Sequence, residues 1–221
     1  MKVIDLFCGA GGFSKGFEKQ GFEIVLGVDN WQIACDNFKL NHKNSEIWCR
    51  DISSIEAKEL PEADIIIGGT PCQEFTSLNL KKQSWRGMIN VCHFFRIVHK
   101  FKPKYYIMEN VIGLNKYLPE YLHKVKLKAS DFGCKTGRRR LFTGQFPEPE
   151  KTEINFNPER TVIAIDNRNL KKEKPKILDL DDLSFKGTEK EIRQLQANCV
   201  PPKLAEAFAK QILKVENQVS N

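Results

Sequence analysis

The chain has 221 residues, 41% of them hydrophobic and 29% charged, which fits one globular domain with at most a small appendage. No run of about eighteen apolar residues occurs, so no membrane-spanning helix is expected. The seven cysteines are scattered and form no Cys-x-x-Cys pair, and the four histidines pair with no cysteine at zinc-site spacing. This argues against a disulfide framework and a metal site, and points to reduced thiols in a cytoplasmic setting.

The formal charge of +7 is uneven: residues 81–140 carry 15 Lys plus Arg against only Glu109, Glu120 and Asp131. A solvated basic face explains such a run equally well. Its place beside the reactive loop described below favours a polyanion partner such as nucleic acid.

The elements follow in order. Residues 2–7 read as a strand rather than a signal peptide, because Asp5 interrupts the apolar run. Cys8-Gly9-Ala10-Gly11-Gly12 is a tight turn, and Phe13 and Phe17 mark a short helix closed by Gly21. Residues 22–28 form a second strand ending in Asp29. Residues 31–41 form a helix with Ile33, Ala34, Phe38 and Leu40 on one face. Residues 45–49 are a third strand, closed by Arg50-Asp51-Ile52, and residues 64–67 a fourth that stops at Gly68-Gly69. After a polar loop come a helix over 91–100, a fifth strand over 104–108 that delivers Glu109-Asn110, and a hairpin from 124–129 to 140–143. Pro201-Pro202 opens a last helix over 203–213, after which the chain frays. Strands alternating with helices predict an α/β fold with a doubly wound, mostly parallel sheet.

Ile65-Ile66-Ile67-Gly68-Gly69-Thr70-Pro71-Cys72 places a thiol just past a buried strand. In open α/β sheets that is where ligands bind. A free cysteine is most often a small buried hydrophobe, so Cys72 alone is a weak nucleophile candidate. The Gly9-x-Gly11-Gly12 turn lies between strand and helix, where nucleotide-binding loops sit, although Ser14 replaces the last glycine of a full motif. Asp29 ends the next strand, where an acid receives a ribose diol. Asp51, after the third strand, can accept from an adenine amino group. Ordinary polar strand ends remain the alternative for both acids.

Five segments occur in order: Asp5-Leu6-Phe7-Cys8-Gly9-Ala10-Gly11-Gly12, Gly68-Gly69-Thr70-Pro71-Cys72-Gln73, Glu109-Asn110-Val111, Arg138-Arg139-Arg140 and Asn198-Cys199-Val200-Pro201-Pro202. Together they resemble the ordered motifs of the cytosine-5 DNA methyltransferases, over residues 1–144 and again over about 178–213. Thr136 stands where the family has Gln, and Ala197 where it has Gly.

The resemblance implies a Rossmann-like class I methyltransferase fold that binds S-adenosylmethionine, leaves S-adenosylhomocysteine and acts on double-stranded DNA. It implies that Cys72 adds to carbon 6 of a flipped-out cytosine, that Glu109 serves ring N3, and that Arg138 and Arg140 orient Cys72, the base and its phosphate. It places cofactor contacts at Phe7, Gly9, Gly11, Asp29, Asp51, Ile52, Asn198 and Val200. Residues 77–87 become a loop that closes over the base. The expected organisation is a catalytic core over 1–145, a reduced target-recognition region over 146–176, and a segment over 177–221 whose helix packs back on the core. A restriction-modification setting and a monomer are expected. A tRNA cytosine-5 methyltransferase stays open as an alternative, although the Cys-Phe-Thr element of those enzymes is missing. So does a non-catalytic or split relative whose partner chain supplies recognition.

Overall fold

The computed structural model describes residues 1–75, 84–152 and 179–219. Seven strands form one sheet: β1 (Lys2–Leu6), β2 (Glu23–Asp29), β3 (Glu46–Cys49), β4 (Ile65–Gly69), β5 (Tyr105–Asn110), β6 (Lys124–Lys128) and β7 (Arg139–Gln145). Their order is β3-β2-β1-β4-β5-β7-β6. The first five are mutually parallel, and β7 runs antiparallel to both β5 and β6. The helices are α1 (Gly12–Glu18), α2 (Gln32–Asn41), α3 (Ser84–Phe101), α4 (Glu189–Asn198) and α5 (Pro202–Val219). The predicted parallel, doubly wound sheet is the observed one.

Alternation along the central strands builds the two layers. Val3, Ile65, Ile67 and Ile107 face a core made with Phe13 and Phe17 of α1 and with Leu204, Phe208 and Ile212 of α5. Ile4, Leu6, Ile66 and Met108 face the other, made with Val91, Phe94 and Ile97 of α3 and with Ile52 and Ile55. Fully burying each such side chain contributes roughly 1.5–3 kcal/mol. The last helix is therefore tied to the first: α5 packs against α1, and Phe208 meets Phe142 of β7 with ring centroids 4.7 Å apart.

Four expectations need correction. β4 does not stop at Gly68-Gly69. It runs through both, with Gly68 beside Leu6 and Met108 and Gly69 beside Glu109. Gly68 is needed for space rather than for a turn: a β-carbon there would lie 2.4 Å from the Leu6 carbonyl oxygen and 2.9 Å from the Phe94 ring. The loop expected over 77–87 is shorter at its far end, because α3 already begins at Ser84; residues 76–83 lie outside the described residues. α5 continues to Val219 instead of fraying after 213. Helix α4 was not expected at all. Thr188 caps it in a reciprocal box, accepting from Glu191 N at 3.4 Å while its own N–H donates to Glu191 Oε2 at 2.7 Å. The reduced recognition region expected over 146–176 lies mostly outside the described residues, which stop at Thr152 and resume at Asp179.

Candidate active site

The carboxyl ends of β1, β2, β4 and β5, the start of β7 and the α4–α5 junction surround one cavity of about 540 Å3. Its floor is the turn after β1. Phe7 adopts φ 63°, Gly9 54° and Gly11 88°. A left-handed conformation is uncommon for a residue with a side chain and costs on the order of 1–3 kcal/mol, so Phe7 is held there by its surroundings. Cys8 N donates to Val28 O and Gly11 N to Cys8 O, both at 2.9 Å. Gly11 also has to be glycine for space, since a β-carbon would stand 2.2 Å from Nε2 of buried His42.

Asp29 ends β2 with both oxygens engaged. Oδ2 accepts from Gly9 N and Oδ1 from Trp31 N, each at 3.0 Å. Burial pushes its carboxyl above the usual range, against the backbone donors of Trp31, Gly9 and Asn30. Each oxygen keeps a second lone pair for a ligand hydroxyl. Phe7, Gly9, Asp29, Asn198 and Val200 line the cavity; Gly11, Asp51 and Ile52 do not. Gly11 lies behind the turn, against His42. Asp51 is exposed and caps its own short turn, accepting from Ser53 N at 2.8 Å and from Asn30 Nδ2 at 3.3 Å. Its carboxyl is held low by the Ser53 side-chain and backbone donors. Ile52 is buried in the α3-side core. Asp51 thus reaches the cavity only through Asn30, which lines it.

Cys72, Glu109, Arg138 and Arg140 line the other half of the same cavity. Asn110 fixes the turn that carries Cys72. Its Nδ2 donates to Thr70 O at 3.0 Å and to Thr70 Oγ1 at 2.8 Å, while its Oδ1 accepts from Val111 N at 2.7 Å. The Cys72 thiol is pushed up by burial and then by the Glu109 charge, while Arg140 and Arg138 pull it down. Arg140 Nε stands 2.8 Å from Glu109 Oε1. The contact is an ion pair off the N–H line, so Oε1 accepts no hydrogen bond. Arg138 is buried, and its Nη1 donates to Ala197 O at 2.7 Å. Burial first, then Arg140, lowers its pKa to about 10, so it stays cationic at neutral pH. The two departures noted in the sequence both touch Arg138: Thr136 Oγ1 accepts from its backbone N–H, and the Ala197 contact uses a carbonyl that any residue has.

Asp5 was not expected in the site. It is buried on β1, lines the cavity, and accepts from Ser14 Oγ at 2.6 Å through Oδ2. Burial raises its pKa to about 7. Its placement inside an apolar strand was the available signal. Gln194 and Leu195 of α4 also line the cavity and were missed with that helix.

Among the described residues, three buried side-chain polar atoms have no hydrogen-bond partner: Asp5 Oδ1, Glu109 Oε1 and Arg138 Nε. All three residues line this one cavity. Buried polar atoms are nearly always hydrogen-bonded, so three without a hydrogen bond around one cavity, one of them held only by the Arg140 ion pair, mark a place built for a polar ligand. No group of three or more His, Cys, Asp or Glu able to hold a metal occurs among the described residues.

A seven-stranded sheet with an antiparallel β7 between β5 and β6, and a ligand cavity at its carboxyl edge, defines a class I methyltransferase fold. The model of the C-5 cytosine-specific DNA methylase family matches residues 1–184, and the chain belongs to that family. The Type II methyltransferase M.XorII of Xanthomonas oryzae pv. oryzae is 34% identical over 163 residues, covering 62% of this chain and 38% of that protein. M.FnuDI of Fusobacterium nucleatum is 30% identical over 207 residues, covering 86% and 58%. The chain thus spans well under two thirds of the length of these relatives. Among solved structures, a prophage-encoded E. coli protein described as a DNA modification methyltransferase superposes with a TM-score of 0.75 at 19% identity, covering 98% of this chain and 99% of that one. That likeness shows the fold.

Proposed function

We propose that the chain is an S-adenosylmethionine-dependent DNA cytosine-5 methyltransferase. The observation that carries the reading is the one cavity joining a nucleotide-type turn to Cys72, with three buried polar atoms around it that accept or donate no hydrogen bond. The cavity residues fit the cofactor: Phe7 offers an apolar wall, Asp29 offers lone pairs to a diol, and Gly9 leaves open space, since a β-carbon there meets nothing within 4 Å. Phe7, Gly9, Asp29, Asn198 and Val200 would hold S-adenosylmethionine, which would supply the methyl group.

The protein's own part is to make carbon 5 of cytosine nucleophilic. The base leaves the DNA stack to enter the cavity. Cys72 loses its proton and its sulfur bonds to carbon 6, which moves electron density onto carbon 5. Glu109 hydrogen-bonds or protonates N3 and so accommodates that density. Arg138 and Arg140 lower the cost of the Cys72 thiolate and offer donors to the base and its phosphate. Carbon 5 would then bond to the methyl group that the cofactor supplies, leaving S-adenosylhomocysteine. Loss of the carbon-5 proton to water and return of the N3 proton to Glu109 let the bond between Cys72 and carbon 6 break, restoring the ring and the thiolate.

Residues 1–145 are proposed as the catalytic core, 146–176 as a small recognition region and 177–221 as the returning segment. A region of that size presents few base contacts, each discriminating by roughly 1–3 kcal/mol. A short recognition site, or a partner chain that extends it, follows. The test is methyl incorporation into mixed DNA and into tRNA, with the modified bases mapped. Methylcytosine in DNA within a short site is expected. Modification confined to tRNA transfers the reading to that substrate, and none in either contradicts it.

A further inference from the structure

A strongly basic surface lies one strand beyond the cavity. β6 is the edge strand, and along it Lys124, Lys126 and Lys128 alternate with Val125 and Leu127. Val125 and Leu127 pack against the core of α1 and α5, which puts the three lysines on the opposite face. Lys128 stands directly opposite Arg139 of β7, and side chains so paired share a face. Lys116, from the turn after β5, joins Lys124 and Lys126 around a shallow hollow that also includes Asn115 and Glu120.

The charges here are unbalanced. Several surface cations elsewhere are paired, among them Lys15 with Glu18, Lys104 with Glu216, Lys203 with Asp179 and Lys210 with Glu206. Others, such as Lys43 and Lys58, have no carboxylate partner among the described residues but stand far apart in sequence from one another and from this group. Lys124 is pinned by Pro119 O at 2.8 Å. Lys116 lies over the Tyr117 ring, 4.8 Å from its centroid. Neither these two nor Lys126, Lys128 or Arg139 has a carboxylate partner among the described residues. Lysines on an edge strand prevent stray strand pairing, and that accounts for β6. It does not account for Arg139, which sits on an inner strand opposite another cation, an arrangement that is destabilising by itself. Nor does it account for Lys116 on a separate turn.

Position supplies the partner. Arg139 is exposed at the start of β7, at the sheet edge where the cavity opens; its side chain points to the face opposite that of its neighbour Arg140, which enters the cavity. Strands lie about 4.8 Å apart, so β6 runs roughly 10 Å from Glu109 on β5. A nucleic-acid strand advances about 3.4 Å per nucleotide, which makes that distance about three nucleotides. We propose that Arg139, Lys128, Lys126 and Lys116 form a track for the phosphate backbone of the DNA substrate, about three nucleotides to one side of the target base. The proposal rests on the DNA methyltransferase reading, since it takes the same substrate. Contacts of this kind position the duplex without reading its sequence.

The test is the salt dependence of binding to a duplex that extends past both sides of the target cytosine. The variant joins Lys126→Gln, Lys128→Gln and Arg139→Gln; the control joins Lys43→Gln and Lys58→Gln, exposed lysines far from the track. Each lost phosphate contact flattens the slope of log K against log salt by about 0.9. The variant is expected to lose about 2–3 in slope while the control keeps the wild-type value. Binding of S-adenosylmethionine, measured by calorimetry, stays unchanged in both. If the triple variant fails to fold, Arg139→Gln alone is expected to lose about 0.9. A wild-type slope in the variant, or an equal loss in the control, overturns the track. Duplex binding needs no turnover, so the slopes decide this question even if methyl transfer is never observed. Methyl transfer with unchanged slopes overturns the track and leaves the enzyme reading intact.

Discussion

Arg140 Nε stands 2.8 Å from Glu109 Oε1 inside the cavity that Cys72 enters. The pair couples the two halves of the proposed chemistry. Glu109 raises the Cys72 thiol and Arg140 lowers it, so the nucleophile is set by a balance between neighbours rather than by burial alone.

That balance gives opposite signs for two substitutions. Glu109→Gln removes the charge that raises Cys72, so its thiolate fraction at about pH 8 rises and alkylation by iodoacetamide speeds up. Arg140→Gln does the reverse. Peptide mass spectrometry counts Cys72 separately from exposed Cys49 and Cys92. The same order for both variants, or no change in either, contradicts the electrostatic account.

Turnover responds differently. Although Glu109→Gln frees the thiol, glutamine cannot deliver a proton to N3. Single-turnover methyl transfer is expected to fall by on the order of a hundredfold or more, the usual scale for a positioned acid. DNA affinity stays near the wild-type value. A variant that alkylates faster and also methylates at an undiminished rate removes Glu109 from the chemistry.

Asp5 predicts a pH dependence of stability in the ligand-free protein. Burial raises its pKa from 3.8 to about 7, so the folded chain holds a proton that the unfolded chain releases. The stabilisation is complete below 3.8 and is lost as pH rises through about 7. Asp29, also raised by burial, acts with the same sign. A tenfold change in acidity corresponds to about 1.4 kcal/mol, so Asp5 alone contributes on the order of a few kcal/mol. Asp5→Asn keeps an acceptor for Ser14 and removes the titration. Urea unfolding at several pH values between about 4 and 8 should show the wild type weakening and the variant flatter. Parallel profiles would leave Asp5 without the role.

Much of this was legible because the informative residues sit in strong local patterns. Ile65-Ile66-Ile67 before Thr70-Pro71-Cys72, and the Asp5-to-Gly12 turn, declare a strand end and a ligand loop without any tertiary knowledge. The misses have physical causes. Helix α4 is polar, with Ile192 and Leu195 its principal apolar residues, so it offers too few apolar positions to stand out as a buried face, and the Thr188–Glu191 capping box is its clearest local signal. Gly68 resembles a breaker, yet the closeness of Leu6 and Phe94 demands it within a continuing strand. Asn110 was visible in its motif, but its bonds to Thr70 join positions forty residues apart, which spacing along the chain does not reveal.

The central claim is that Cys72 forms a bond to cytosine. A duplex carrying 5-fluorocytosine at the methylated position tests it most directly, because fluorine does not leave carbon 5 as a proton does. With S-adenosylmethionine present, the account predicts a denaturation-resistant complex whose mass is that of protein, DNA strand and one methyl group. Digestion should place the link on Cys72, and Cys72→Ser should abolish it while S-adenosylmethionine still binds. Absence of any complex with active protein, or a link on another residue, would contradict the account.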